Sequence, residues 1–174
     1  MLTPRQVPPA VAGRRPALPG VGEGFERDVG RLVRAVYCPG HPGSAVCRDP
    51  APAGRVIRLS LEARFAGEEG DSAGHHLAPA LRREFDCGPV CEVCTGALKD
   101  VVTLLKFEEF TDALETLLAD GCKTATRGHT DWFELCKAAI DALLPQWENG
   151  LVVLLDGNEE ALCANPNGQP AATP

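Results

Sequence analysis

The 174-residue chain lacks an apolar run long enough to cross a bilayer. Its best stretch, Gly150-Leu-Val-Val-Leu-Leu155, falls far short of the ~20 residues a spanning helix needs. It also lacks a Gly-x-Ser-x-Gly nucleophile elbow, Gly43-Ser44-Ala45 being the nearest approach, and it has no phosphate loop. No Asn-x-Ser/Thr sequon is present. Residues 1–24 carry Arg5, Arg14 and Arg15 with no apolar run behind them, so no secretory signal is read there. With no catalytic constellation in view, the expectation is a non-enzymatic protein without a cofactor.

Lysine is absent from residues 1–86, which hold 12 Arg and 10 acids, a net charge of +2. Residues 87–163 hold 5 basic and 14 acidic residues, a net charge of −9. An acidic domain argues against nucleic acid as a partner, because phosphates require a basic footprint. What the chain does have is cysteine. Eight in a short chain favour disulfides, and disulfides place a protein in an oxidising compartment, here read as secreted or lysosomal/vacuolar.

Residues 1–22, rich in Pro, Gly and Arg, read as a disordered tail, and 165–174 as a second one. Residues 23–86 read as a poorly defined, largely irregular extension. Within it, 23–37 is a short helix with Phe25, Val29, Leu32, Val33 and Val36 on one side, weakened by Gly30. Residues 38–54 are a loop that Cys38 and Cys47 are placed to close, and 66–80 are another loop, with His75-His76 as a solvated pair. Residues 55–65 support two readings. Ile57, Leu59, Leu61, Ala63 and Phe65 alternate like a strand, whereas Leu-Glu-Ala-Arg is good helix material.

From Val90 the pattern is helical. Val90, Cys94, Ala97, Leu98, Val101, Leu104 and Leu105 recur at 3/4 spacing, and Phe110, Ala113, Leu114, Leu117 and Leu118 make a second stripe ending at Gly121-Cys122. Asp131 with Glu134 reads as a capping box opening a third helix through Trp132, Cys136, Ala139, Ile140 and Leu143. Pro145 should kink or break that helix before Trp147, Leu151, Leu154 and Leu155. Asn158 is placed to cap a last short turn reaching Cys163.

Cys91-Glu-Val-Cys94 opening an amphipathic helix, the gap to Cys122, the Cys122/Cys136 pair flanking a polar hairpin, and Leu162-Cys163 at the end together resemble a saposin B-type domain over residues 87–164. The resemblance implies an all-α fold of four to five amphipathic helices stapled by Cys94–Cys163 and Cys122–Cys136. The family carries a sixth cysteine shortly after the fifth, but Cys163 is followed by Ala-Asn-Pro-Asn-Gly-Gln-Pro. Cys91 thus loses its family partner, leaving Cys87 as the neighbouring candidate and Cys38–Cys47 as a separate pair.

The family also implies lipids or a membrane surface as partner, with a lipid hydrolase or a homodimer as further expectations. The candidate lipid-binding side chains are Val101, Leu104, Leu105, Phe110, Leu114, Leu117, Trp147, Leu151 and Leu154, for any one of which ordinary core packing is the competing role. The net acidity predicts binding that strengthens as carboxylates protonate toward pH 4–5. Two other functions compete. One is an amoebapore-like permeabilising effector, disfavoured by the acidic balance. The other is a metal or redox centre on Cys87, Cys91 and Cys94, with His75 or His76 completing a zinc set. His129, beside Asp131 in the hairpin, is read as exposed, with pH sensing as its alternative role.

Overall fold

A computed structural model describes residues 21–22, 24–65, 72–85 and 91–164. Every regular element among them is helical: α1 (Phe25–Leu32), a π-helical turn (Val33–Tyr37), α2 (Ala45–Arg48), α3 (Ala51–Phe65), α4 (Ser72–Phe85), α5 (Glu92–Leu105), α6 (Glu108–Ala125), α7 (Thr130–Leu155) and α8 (Glu159–Cys163). The all-α, disulfide-stapled expectation therefore holds. The tails 1–20 and 165–174 lie outside the described residues, but Val21, placed in the first tail, is buried in the core.

The largest departure from the sequence reading is in residues 23–86. Where short helix and loops were expected, four α-helices and a π turn are present. α1 follows the predicted stripe, burying Phe25 and Val29, with Val33 continuing the face into the π turn. Its acids, Glu26 and Asp28, lie in the first turn and Arg31 in the last, the arrangement that suits the helix dipole.

In α3 the buried residues are Ala53, Gly54, Val56, Ile57, Ser60 and Leu61, a helical rather than an alternating set. No strand exists among the described residues to satisfy a lone strand's backbone, so the helix closes its own hydrogen bonds. Ser60, the buried polar residue of this set, donates its hydroxyl to the Ile57 carbonyl at 2.9 Å. α4 replaces the expected loop because Leu77, Leu81 and half-buried Phe85 recur every four residues. Residues 75 and 76 thus fall inside a helix. The Arg55 guanidinium lies 4.8 Å from the centre of the Phe85 ring, tying α3 to α4.

One hydrophobic core runs through both halves of the chain. It joins Phe25, Val29, Tyr37, Val46, Ile57, Leu61 and Leu81 to Leu98, Leu104, Phe110, Leu114, Trp147 and Leu155. α3 packs on α1, α4 and α5, while α1 and the π turn pack on α6. The boundary drawn at residues 86 and 87 is therefore not a packing boundary. Arg58 reinforces the junction. Its Nε donates to Glu26 of α1 at 2.6 Å, Nη1 to Glu62 at 3.3 Å, and Nη2 to Glu84 of α4 at 3.2 Å.

Smaller corrections concern helix ends. α6 runs on past Gly121-Cys122 to Ala125. α7 continues through Pro145 rather than breaking there. The carbonyl that loses its donor belongs to exposed Asp141, where water can satisfy it. Asp131 makes no capping bond, because His129 occupies the cap position. Asn158 sits at the α8 cap but donates backward to the Leu154 carbonyl at 3.1 Å.

Candidate functional site

Three disulfides join Cys38–Cys47, Cys94–Cys163 and Cys122–Cys136. Cys91 is disulfide-bonded as well, and its Sγ accepts the Cys94 N–H at 3.3 Å, capping α5. The proposed Cys87–Cys91 pairing falls on Cys87, outside the described residues. With Cys91 and Cys94 both in disulfides, neither offers the thiolate that a metal or redox centre at these positions requires. Among the described residues no group of three His, Cys, Asp or Glu side chains is placed to hold a metal ion.

The nine candidate lipid-binding residues do not line an open groove. Val101, Leu104, Leu105, Phe110, Leu114, Trp147 and Leu151 are buried, and Leu117 and Leu154 are partly buried against the same core. Their competing role, core packing, is the one the structure places them in. The physical reason lies upstream: α1, the π turn and α3 supply the packing partners that residues 91–163 alone lack.

Among the described residues the exposed large apolar side chains are Val93, Trp132, Leu135 and Val153, and two of these, Trp132 and Leu135, stand together at the tip of the α6–α7 hairpin. α6 packs through Phe110, Leu114, Leu118 and Cys122, four residues apart, and α7 through Ile140, Leu144, Trp147, Leu151 and Leu155. Beyond Cys122 and before Ile140 no residue is buried. The chain reverses through Arg127 and Gly128, both in the left-handed region at φ 50° and 82°. The Cys122–Cys136 bridge, with Cα atoms 5.8 Å apart, clamps the two helices just inside this tip.

On the projecting first turns of α7, Trp132 and Leu135 are each 68% exposed. Three residues apart, they share one side of the helix and form a patch. The same end of the hairpin carries exposed Lys123, Arg127 and His129, with Asp131 and Glu134 as its acids. Lys137 is engaged with Asp141 at 2.7 Å. The sequence reading put Trp132 among the inward residues because it is in phase with Cys136 and Ile140. It did not single out Leu135.

The acidic face of the hairpin carries one strongly perturbed group. Glu148 on α7 has its pKa raised to about 6, first by burial and then by Glu115 and Asp112 across on α6. Burial also raises the pKa of Asp100 on α5. The folded value for Glu148 lies above the ordinary 4.5, so the fold binds a proton there more readily than the unfolded chain does. The fold therefore gains stability from Glu148 as pH falls from about 6 to 4.5, and carries a penalty above that window. Glu148→Gln should stabilise the protein at pH 7.5 by about 1 kcal/mol, the linkage value roughly halved because the carboxyl is only half-buried. At pH 4, where both forms are neutral, the variant and the parent should melt together. Melting curves at the two pH values decide it, and an equal gain at both would remove Glu148 as the cause.

The arrangement as a whole is a helical bundle with an apolar-tipped, disulfide-clamped hairpin and two half-buried carboxyls, Glu148 and Asp100, whose pKa burial raises. No family model matches this chain, and neither a curated protein nor a solved structure does.

Proposed function

We propose that this protein is a non-enzymatic, lipid-binding, membrane-interacting module of saposin-like type, acting in a secreted or lysosomal setting and binding best at acidic pH. The observation that carries the reading is the Trp132–Leu135 patch on the disulfide-clamped tip. An amphipathic indole suits the headgroup level of a bilayer, and an exposed leucine beside it supplies depth. Lys123, Arg127 and His129 are exposed at the same end of the hairpin, so the tip is the part of this acidic half that an anionic surface repels least. As pH falls toward 4–5 the net acidity of residues 87–163 fades, and an anionic surface repels the module less.

No helix among the described residues is long and apolar enough to cross a membrane, so the contact proposed is peripheral. Because the nine stripe residues are core, holding an acyl chain inside the bundle would require α1 and α3 to move. Surface contact through the tip requires no such rearrangement. A permeabilising effector is the alternative, and dye leakage from the same vesicles separates it from simple adhesion.

The test is co-sedimentation with vesicles containing anionic lipid at pH 7.5 and 4.5. Binding should be stronger at pH 4.5. Trp132→Ala combined with Leu135→Ala should weaken it by about 2 kcal/mol, roughly thirty-fold, from the apolar area withdrawn. Negligible binding at both pH values, or binding indifferent to the double substitution, would sink the proposal.

A further inference from the structure

Arg27, Arg31 and Arg34 recur four and three residues apart, on one side of α1 and its π-helical continuation, and all three are exposed. They wall an open cleft of about 860 Å³ between α1 and the start of α3, with Gly30 and Pro50 also lining it. The cleft exists because the two helices cross closely. A Cβ on Gly30 would stand 3.3 Å from Pro50 Cγ, and one on Gly54 would stand 3.1 Å from the Glu26 carbonyl oxygen. Small residues at the crossing bring the backbones together and leave the long arginines at the rim.

The cleft lining sets four arginines, Arg27, Arg31, Arg34 and Arg58, against three carboxylates, Glu26, Asp49 and Glu62, each of which has a partner. Glu26 and Glu62 pair with Arg58, at 2.6 and 3.3 Å. Asp49 accepts the Ala51 N–H at 3.2 Å. Asp28 pairs with Arg31 at 3.3 Å. Arg27 and Arg34 make no ion pair with any described residue. Two unneutralised guanidiniums and a third partly neutralised one thus border one cleft, in a chain whose net charge is −7. The N-terminus of α3 adds little, since Asp49 takes the Ala51 N–H and Pro52 has none to give.

We propose that the cleft between α1 and α3 binds a phosphate-bearing anion through Arg27, Arg31 and Arg34. A guanidinium presents a planar fork of donors that matches two oxygens of one phosphate. A single carboxylate is satisfied by one such fork. Three arginines one helical turn apart suit a ligand with at least two negative charges and oxygens on several sides. Such a group reaches the cleft either on a soluble phosphate or on the headgroup of an anionic lipid. The site is separate from the hairpin tip and stands whether or not the tip binds membranes.

The test uses the full chain and inorganic pyrophosphate, titrated by calorimetry at pH 7 and low salt. Saturable binding is expected, and Arg27→Ala with Arg34→Ala should weaken it by about tenfold or more, the loss of two charge-assisted contacts. Urea unfolding of that double variant should be unchanged, because neither side chain is paired in the fold. Arg127→Ala, at the hairpin tip, should change the affinity less than about twofold if the site is local rather than a general field effect. Absence of saturable binding overturns the proposal, as does an Arg127→Ala loss equal to that of the pair. Pelleting with phosphatidic acid and phosphatidylcholine vesicles, in a Trp132→Ala/Leu135→Ala background, distinguishes the sources. Retention on phosphatidic acid that depends on Arg27 and Arg34 assigns the site to a headgroup. Pyrophosphate binding without such retention assigns it to a soluble phosphate.

Discussion

Replacing Cys94 and Cys163 together by alanine is expected to lower the unfolding free energy by about 4 kcal/mol. The bridge closes a loop with a sequence separation of 69 residues, the longest of the three described disulfides, whose other separations are 14 and 9. In the chain-entropy treatment the stabilisation grows with the logarithm of loop length, giving about 4 kcal/mol here against about 3 for a fifteen-residue loop. The ranking among the bridges should therefore be Cys94–Cys163, then Cys122–Cys136, then Cys38–Cys47.

Position reinforces the ranking. Cys94 and Cys163 are both buried in the core, and they tie the first turn of α5 to the last helix, α8. Alanine is the better replacement, because serine would bury hydroxyls without assured partners and add a separate cost. Equilibrium urea unfolding without reductant reads the difference directly. A loss under about 1 kcal/mol would mean that the core holds the bundle without help from this bridge.

The helices from α5 to α7 were legible because each pays out its apolar residues at helical spacing over many turns. The pairings Cys94–Cys163 and Cys122–Cys136 were legible through the family resemblance; eight cysteines alone leave far too many combinations. What the stripes could not convey is what covers them. Considered without the rest of the chain, residues 87–164 leave Val101, Leu104, Phe110 and Leu114 as a potential groove. Their partners, Val29, Val33, Ile57 and Leu61, sit in the segment expected to be irregular.

Within that segment the helix over 23–37 was legible, 55–65 stayed open between strand and helix, and α4 was hidden, each for a local reason. Residues 55–65 happen to alternate, and Gly, Ala and His obscure the Leu77–Leu81–Phe85 stripe of α4. Gly30 counted against a helix in sequence terms, whereas in the fold its missing side chain is what lets Pro50 approach. Trp132 shows a different limit. Periodicity gives the side of a helix on which a residue lies, but not how far the neighbouring helices extend along it. Trp132 is in phase with the core and lies beyond its end.

Leu61→Ala should cost about 3 kcal/mol, and the form of the unfolding curve matters as much as its midpoint. Leu61 is fully buried in the middle of the shared core, on the helix that packs against α1, α4 and α5. Removing a leucine side chain from such a site loses its transfer free energy and leaves a cavity that the neighbours close only in part. If residues 24–85 were an appendage, the loss would fall on a separate, weaker transition and residues 91–164 would unfold as before. A core that joins Ile57 and Leu61 to Leu104, Phe110 and Trp147 makes the loss common to the whole molecule. Trp147, only 3% exposed on α7, reports on the far half of that core. In a Trp132→Phe background its fluorescence is the sole indole signal, since the chain has 2 tryptophans. Leu61→Ala should move the Trp147 transition and the far-ultraviolet helical transition to lower urea together. A Trp147 midpoint left in place would restore the boundary at residue 86 and return α1 to α4 to the status of an extension.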